Sequence, residues 1–539
     1  MRRNRVFAII ATLLLVLMVA SPLAAAPSAA GQISANGEIG TYISGGRNVM
    51  ADKYIHSEGY PPFADKASFI GTLSGDWYSM GKQYGGKSGE NVRIVSDLWW
   101  KEQCDAWGKK ETLKAMAIYE EQIKALDPNL IEFMKGITDG ASPWLNKSIY
   151  NRKDHPLYST NYERVLAVNV YDEWTMCHPS QFPDGSSTFG GATKPPSWNE
   201  PEGGGSCSGF GAFGKATLNG ETIMAHNRQT PQDPRDYQQV YIIDPPDGYA
   251  SWVLSNSPQV AANQVVNEKG VSVSLFFGGQ TNPRSLNYEG GPYHSEDFGV
   301  SWFTLLLYIA THAENAEQAI EMLTVGPAGY LERTGRNSIL LGGGWIFMVS
   351  DENTTAVVER TADRYAVRYP GDNHKFTGKA WTGIDYIVVA NINLCDFSYD
   401  ENNKRTDVPM TVFGCGGYTY DDQGKVTGFS SSGMRFWTLM WDLKNNYGKV
   451  DRYMAQHIMS GYHGYDKEGN KLSCAQDEKG NWLPYGMAKE CNQGWSVGPM
   501  FGTNDGKIAI LDGLNSVVYW TLGNPGDWQG AWDEYRFKR

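Results

Sequence analysis

At Cys207 the chain changes character, and that change constrains the fold more than any other feature of the sequence. Upstream, His178–Ser206 holds Pro179, Pro183, Pro195, Pro196 and Pro201 with six glycines, and ends Glu202-Gly203-Gly204-Gly205-Ser206. Such a stretch reads as an exposed, irregular linker. Downstream the apolar period shifts towards strands. Phe210–Thr217 and Glu221–Ala225 flank Asn219-Gly220, a strong short-range hairpin signal. Further β-like runs stand at Gln239–Ile243, Ser251–Leu254, Val271–Phe277, Trp345–Val349, Ala356–Glu359, Tyr365–Arg368, Tyr386–Ala390, Lys507–Leu511 and Val517–Thr521. Helical patterns interrupt them at Val300–Leu323 and Gly433–Leu443. Before the linker the chain reads mostly helical. Glu111–Lys124 is rich in strong helix formers, Asp127-Pro128 starts a second helix, and Asn161–Trp174 is a third. The expectation is an α+β protein in three parts: a leader 1–30, a largely helical segment with its linker 31–206, and a strand-rich domain 207–539.

The leader sets the compartment. Arg2, Arg3 and Arg5 precede Val6–Ala20, which carries no charge, and Ser21–Ala30 is small and Ala-rich. This is the pattern of a secretory signal cleaved after Ala30, and it is short for a membrane span, although an uncleaved anchor is the competing reading. No other stretch approaches the length of a span, so the mature protein is expected to be exported and to lack a stable membrane span. With 41% hydrophobic and 20% charged residues the chain suits neither a disordered nor a multi-pass membrane protein. A net charge of −12 gives it no electrostatic attraction for nucleic acid.

Seven cysteines, Cys104, Cys177, Cys207, Cys395, Cys415, Cys474 and Cys491, leave one over if the rest pair in an oxidising compartment. Cys395/Cys415 and Cys474/Cys491 are close enough in sequence to close disulfide loops. HExxH, CxxC and Walker patterns are missing, and the nine His are scattered apart from His457 and His463, so neither a metal nor an organic cofactor is indicated. Gly342-Gly343-Gly344 precedes a strand, which is the wrong context for a phosphate cradle.

Gly205-Ser206-Cys207-Ser208-Gly209 has the form of a nucleophile elbow, but an elbow needs a strand before the nucleophile and a helix after it. Here a linker precedes and a hairpin follows. A papain-like pattern is also missing. A third arrangement fits. Cutting between Ser206 and Cys207 would make Cys207 an N-terminal residue at the start of a strand. Its α-amino group, with a pKa near 8, could then serve as the thiol's own base. The competing reading is a small buried core cysteine, and context alone does not separate the two.

The residues from Cys207-Ser208-Gly209-Phe210 through Gly214–Asn227 resemble the start of the mature chain in N-terminal-nucleophile (Ntn) hydrolases. The similarity is to the autoproteolytic acyltransferases and hydrolases related to isopenicillin N acyltransferase. The Ala225-His226-Asn227 ending also resembles phospholipase B-like proteins. Penicillin V acylases and bile-salt hydrolases are more distant. Gly136-Ile137-Thr138-Asp139-Gly140-Ala141, Asn267-Glu268-Lys269-Gly270-Val271, the hairpin Met348–Glu359, Val389-Ala390-Asn391 and the segment from Gly502-Thr503 to Thr521 follow in the family's order.

The resemblance implies a four-layer αββα sandwich and a zymogen whose pro-segment is cut at Cys207. It implies Cys207 as nucleophile, with Asn391 as side-chain donor to the oxyanion. Read without the family, Asn391 is equally a strand-end turn residue. Two departures stand out. Where relatives read G-R-N-x-D this chain has Ala225-His226-Asn227-Arg228-Gln229, and where some carry an oxyanion-binding L-N-F it has Leu275-Phe276-Phe277. His226 either contacts the nucleophile or caps a strand, and Asn227 suits a positioning role because an amide does not titrate. The implied activity is cleavage, or acyl transfer, at a linear non-peptide amide of a small acyl-amide substrate, with the cut pro-segment as a candidate bound partner. The rival readings are a phospholipase B-like ester hydrolase and a non-enzymatic surface- or carbohydrate-binding protein, to which 18 Trp and 30 Tyr would lend themselves.

Overall fold

The computed structural model describes residues 32–33, 40–43, 68–177, 207–228, 237–277, 298–341, 345–360, 365–372, 385–390, 418–420, 426–429, 431–459, 464–465, 471–472, 507–512, 517–522 and 533–537. Among the described residues, three strands precede the first helix: β1 (Gln32–Ile33), β2 (Gly40–Ile43) and β3 (Ser68–Ser74). Five helices follow: α1 (Trp77–Trp107), α2 (Lys109–Leu126), α3 (Pro128–Gly140), α4 (Ser142–Leu145) and α5 (Asn161–Cys177). Asp76 caps α1 by accepting from the Ser79 N–H. Asp127 caps α3 by accepting from the Asn129 N–H, with Pro128 in the first turn as its sequence predicts.

After the linker come β4 (Cys207–Gly214), β5 (Gly220–Arg228), β6 (Gln238–Asp244), β7 (Ser251–Asn256), β8 (Gln264–Asn267) and β9 (Ser272–Phe277). The helices α6 (Trp302–His312), α7 (Ala316–Thr324) and α8 (Ala328–Thr334) lead to β10 (Trp345–Ser350), β11 (Thr355–Arg360), β12 (Tyr365–Arg368) and β13 (Tyr386–Ala390). Two small ribbons, β14–β15 (Tyr418–Tyr420, Val426–Phe429) and β16–β17 (Gly464–Tyr465, Lys471–Leu472), flank α9 (Ser431–Asn445) and α10 (Arg452–Met459). The chain closes with β18 (Lys507–Asp512), β19 (Val517–Leu522) and β20 (Asp533–Phe537).

These strands form two eight-stranded sheets. The first runs β1-β2-β20-β19-β18-β5-β4-β13 and the second β12-β11-β10-β9-β8-β7-β6-β3. Pairing is antiparallel except for β3 beside β6. Alternation along the strands sends side chains to two different cores. Val240, Ile242, Trp252, Leu254, Phe276, Met348, Val389 and Trp520 lie between the sheets. Phe210, Ala225, Val388 and Ala390 pack outward with Phe436, Trp437 and Met440 of α9. On the far side Tyr241, Val253, Val273 and Phe347 meet α1, α3, α5 and α6. The order is therefore helix, sheet, sheet, helix, the αββα layering that the Ntn resemblance implies. Arg368 ties the layers at one edge: it pairs with Glu359 at 2.6 Å and donates to the Val388 carbonyl in the opposite sheet at 3.2 Å.

The segment before Cys207 is largely helical, but it is woven into both sheets. β2 pairs with β20 in the first and β3 with β6 in the second. The helical pattern at Val300–Leu323 forms two helices, divided where Asn315 turns out of helix and accepts from the Gln318 N–H. The first strand of the hairpin stops at Gly214, earlier than expected. Residues 215–219 form the connection, and Thr217 Oγ1 donates to the Gly214 and Glu221 carbonyls. Gly214 and Gly220 take positive φ at its two ends, a conformation that glycine adopts without strain.

α1 and α3 cross on glycine. A Cβ on Gly81 would sit 2.0 Å from the Phe133 carbonyl oxygen, one on Gly85 2.1 Å from that of Ile137, and one on Gly136 2.1 Å from that of Tyr78. Spacing by four keeps these positions on one helix face. Gly136 and Gly140 are the glycines of the stretch matched to the family pro-segment, and their role in this chain is close backbone contact.

Candidate active site

Cys207 is the first residue of β4 and 4% exposed, with its side chain in the core between the sheets. Its directly opposed residue on β5 is Arg228, whereas His226 lies opposite Gly209. Opposed residues share a face in an antiparallel pair, and the diagonal neighbour lies farther off. The hairpin therefore puts Arg228 beside the thiol and His226 one diagonal step away on the same face. Sequence reasoning singled out His226 and passed over Arg228. The register, set by the connection at 215–219, was the missing information.

His226 is fully buried, its ring 4.5 Å from that of Phe276 in near edge-to-face contact. The two positions that depart from the family pattern thus meet across the sheets. Asn227 pairs with Ser208 and alternates onto the helix-packed face with Ala225, away from the Cys207 face. Gln229 and Asn391 lie outside the described residues. The residue before Asn391, Ala390, pairs with Ser208, next to Cys207.

Two guanidinium groups frame Cys207. Half-buried Arg228 donates through Nη1 to the Ala262 carbonyl and to Asn263 Oδ1 on the β7–β8 connection, and lies 6.0 Å from the Trp302 ring. Fully buried Arg435, from α9, donates through Nη1 to the carbonyl oxygen of Cys207 itself. That bond holds the first peptide plane of β4 from the helix side and leaves the thiol face to the inter-sheet space. No sequence pattern pointed to Arg435, because it stands in a helix remote in sequence. Gly209 is needed here as well: a Cβ would meet the Ala225 carbonyl oxygen at 2.5 Å and Phe276 Cζ at 2.9 Å.

Cys104 and Cys207 are both buried and neither forms a disulfide. Cys177 ends α5, and Cys395, Cys415, Cys474 and Cys491, with both proposed disulfide loops, lie outside the described residues. Cys104 is a packing residue on α1. Burial pushes its thiol up to about 12, against a small opposing effect of Lys109. The thiolate is the reactive form, so Cys104 should stay unlabelled by iodoacetamide in the native protein at about pH 8 and label on denaturation. Peptide mapping of the alkylated sites checks this, and rapid native labelling would contradict the assignment.

No protein-family model matches the chain, and no curated protein does. Among solved structures it is similar to the Caenorhabditis elegans ortholog of N-acylethanolamine-hydrolyzing acid amidase, at 13% identity over 47% of this chain and 86% of that one, with a TM-score of 0.28. Two variants of conjugated bile acid hydrolase from Clostridium perfringens share 11% and 10% identity. Each covers 62% of this chain, with 96% and 97% of their own and TM-scores of 0.31 and 0.28. Superpositions this loose carry no argument about the site. The layering is read from the sheet order, and the site from the register at Cys207.

Proposed function

We propose that this protein is an exported, self-cleaving Ntn hydrolase that opens a linear amide with Cys207. The observation that carries the reading is the place of Cys207. It begins an inner strand of a two-sheet sandwich and turns its thiol between the sheets, with the cut expected just before it. In the mature chain the α-amine takes the thiol proton as Sγ attacks the substrate carbonyl carbon. The oxyanion receives hydrogen bonds from the Asn391 amide and a backbone N–H. Collapse breaks the C–N bond, and the α-ammonium returns the proton to the leaving amine. Water, deprotonated by the same amine, then attacks the thioester and frees the acid and the thiol. An incoming amine in place of water would give acyl transfer.

Because β2 and β3 are strands of the two sheets, segment 31–206 is expected to stay bound after the cut. Brief incubation with an acyl amide, acid quench and mass measurement should find the acyl group on chain 207–539. Acylation by esters but by no amide would favour the phospholipase B-like reading.

We read His226, one diagonal step from Cys207, as an orienting group. His226→Gln should keep measurable turnover, with the pH profile still set by the thiol–amine pair. A base at this position would cost roughly 10²–10⁴-fold when removed. Near-complete loss in a correctly cleaved His226→Gln protein would remove the α-amine from its role.

A further inference from the structure

Four buried side chains on the second sheet and its β7–β8 connection carry polar atoms with no hydrogen-bond partner. These are both amide atoms of Gln238, Nδ2 of Asn263, Oε1 of Gln264 and Oγ of Ser274. Gln264 stands opposite Ser274 on β9 and opposite Leu254 on β7. Ser274 pairs with Met348, and Gln238 is two residues from Val240. Leu254, Met348 and Val240 all belong to the core between the sheets, so alternation puts Gln238, Gln264 and Ser274 on that face too. Asn263, the residue before Gln264, accepts from Arg228, and Arg228 is the cross-strand partner of Cys207. The unsatisfied atoms thus begin one contact away from the residue facing the nucleophile. Buried polar atoms are nearly always satisfied, and several unsatisfied in one row call for a ligand or trapped water.

We propose that this row binds a second amide group of the substrate, so that the acyl part is peptide-like rather than a plain hydrocarbon chain. The inference rests on the function proposed above. Gln264 Oε1 is an acceptor, and Ser274 Oγ, directly opposite it on the same face, can donate. A carboxamide supplies the matching acceptor and donor in one planar group. Ser274 and Gln238 can each do either. A hydrocarbon chain would leave all of them unsatisfied, and a site built for hydrogen bonds rejects an analogue without them.

The test uses the mature, cleaved protein and two 4-nitroanilides of matched chain length, N-acetylglycyl and pentanoyl. The N-acetylglycyl compound should have the higher kcat/KM by at least about tenfold. The ratio should collapse in Gln264→Met and in Ser274→Ala, the second of which removes only a hydroxyl. Protection of Cys207 from iodoacetamide by N-acetylglycine methylamide and by N-methylpentanamide is read alongside, since it needs no turnover. Stronger protection by the first, lost in both variants, upholds the subsite even if neither anilide is cleaved, in which case the hydrolase reading alone falls. Equal protection by the two amides would overturn the subsite and leave the row as a hydrated core.

Discussion

On the proposed function, Cys207→Ala should run as one polypeptide spanning 31–539, and the unaltered protein should yield 31–206 and a second chain beginning at Cys207. The proposed self-cleavage would use the same thiol as the proposed catalysis. Sγ attacks the Ser206 carbonyl, the Ser206–Cys207 C–N bond breaks to a thioester and the new α-amine, and water releases the Ser206 carboxylate. Alanine supplies no nucleophile for either step. Turnover should fall by on the order of 10⁶-fold, the scale of losing a covalent nucleophile. Cys207→Ser keeps an attacking atom of weaker nucleophilicity and should cleave slowly. N-terminal sequencing and intact mass decide the matter. Normal cleavage of Cys207→Ala would assign the cut to another protease and leave the N-terminal thiol without its origin.

Gly136→Ala should destabilise the protein by about 3 kcal/mol although it raises helix propensity. The added Cβ would stand 2.1 Å from the Tyr78 carbonyl oxygen, which is backbone and cannot swing aside, so α1 and α3 must separate along their crossing. The same α1 holds an internal control. A Cβ on Gly86 meets nothing within 4 Å, so Gly86→Ala should be neutral or stabilising by up to about 1 kcal/mol. Denaturant unfolding of the two variants beside the parent measures both. If Gly86→Ala costs as much as Gly136→Ala, the close crossing is not what these glycines serve.

Much of the architecture is written in local pattern. The hairpin at Asn219-Gly220, the capped start at Asp127-Pro128 and the runs that became β6, β7, β9 to β13, β18 and β19 depend on neighbours a few residues apart, where turn chemistry and alternation act. β8, with four residues, was too short to announce itself, and β2 and β3 take their places in the two sheets through remote partners, β20 and β6. Those pairings make the segment before Cys207 part of both sheets, which no local signal could show.

The site divides in the same way. The change of composition at Cys207, the odd cysteine count and the motif order after it single out Cys207 from sequence as the candidate nucleophile. Which side chain faces Cys207 is a matter of register, and a slip of one residue turns every side chain to the other face. The connection at 215–219 sets Cys207 against Arg228, moves His226 one diagonal step away and sends Asn227 to the helix side. The approach of Arg435 from α9 and the unsatisfied row from Gln238 to Ser274 depend on layers closing over one another. Sequence alone determined that Cys207 begins a strand of an α+β sandwich. Only the tertiary structure decided what surrounds it, because cross-strand and cross-layer contacts join residues whose separation along the chain carries no information about their distance.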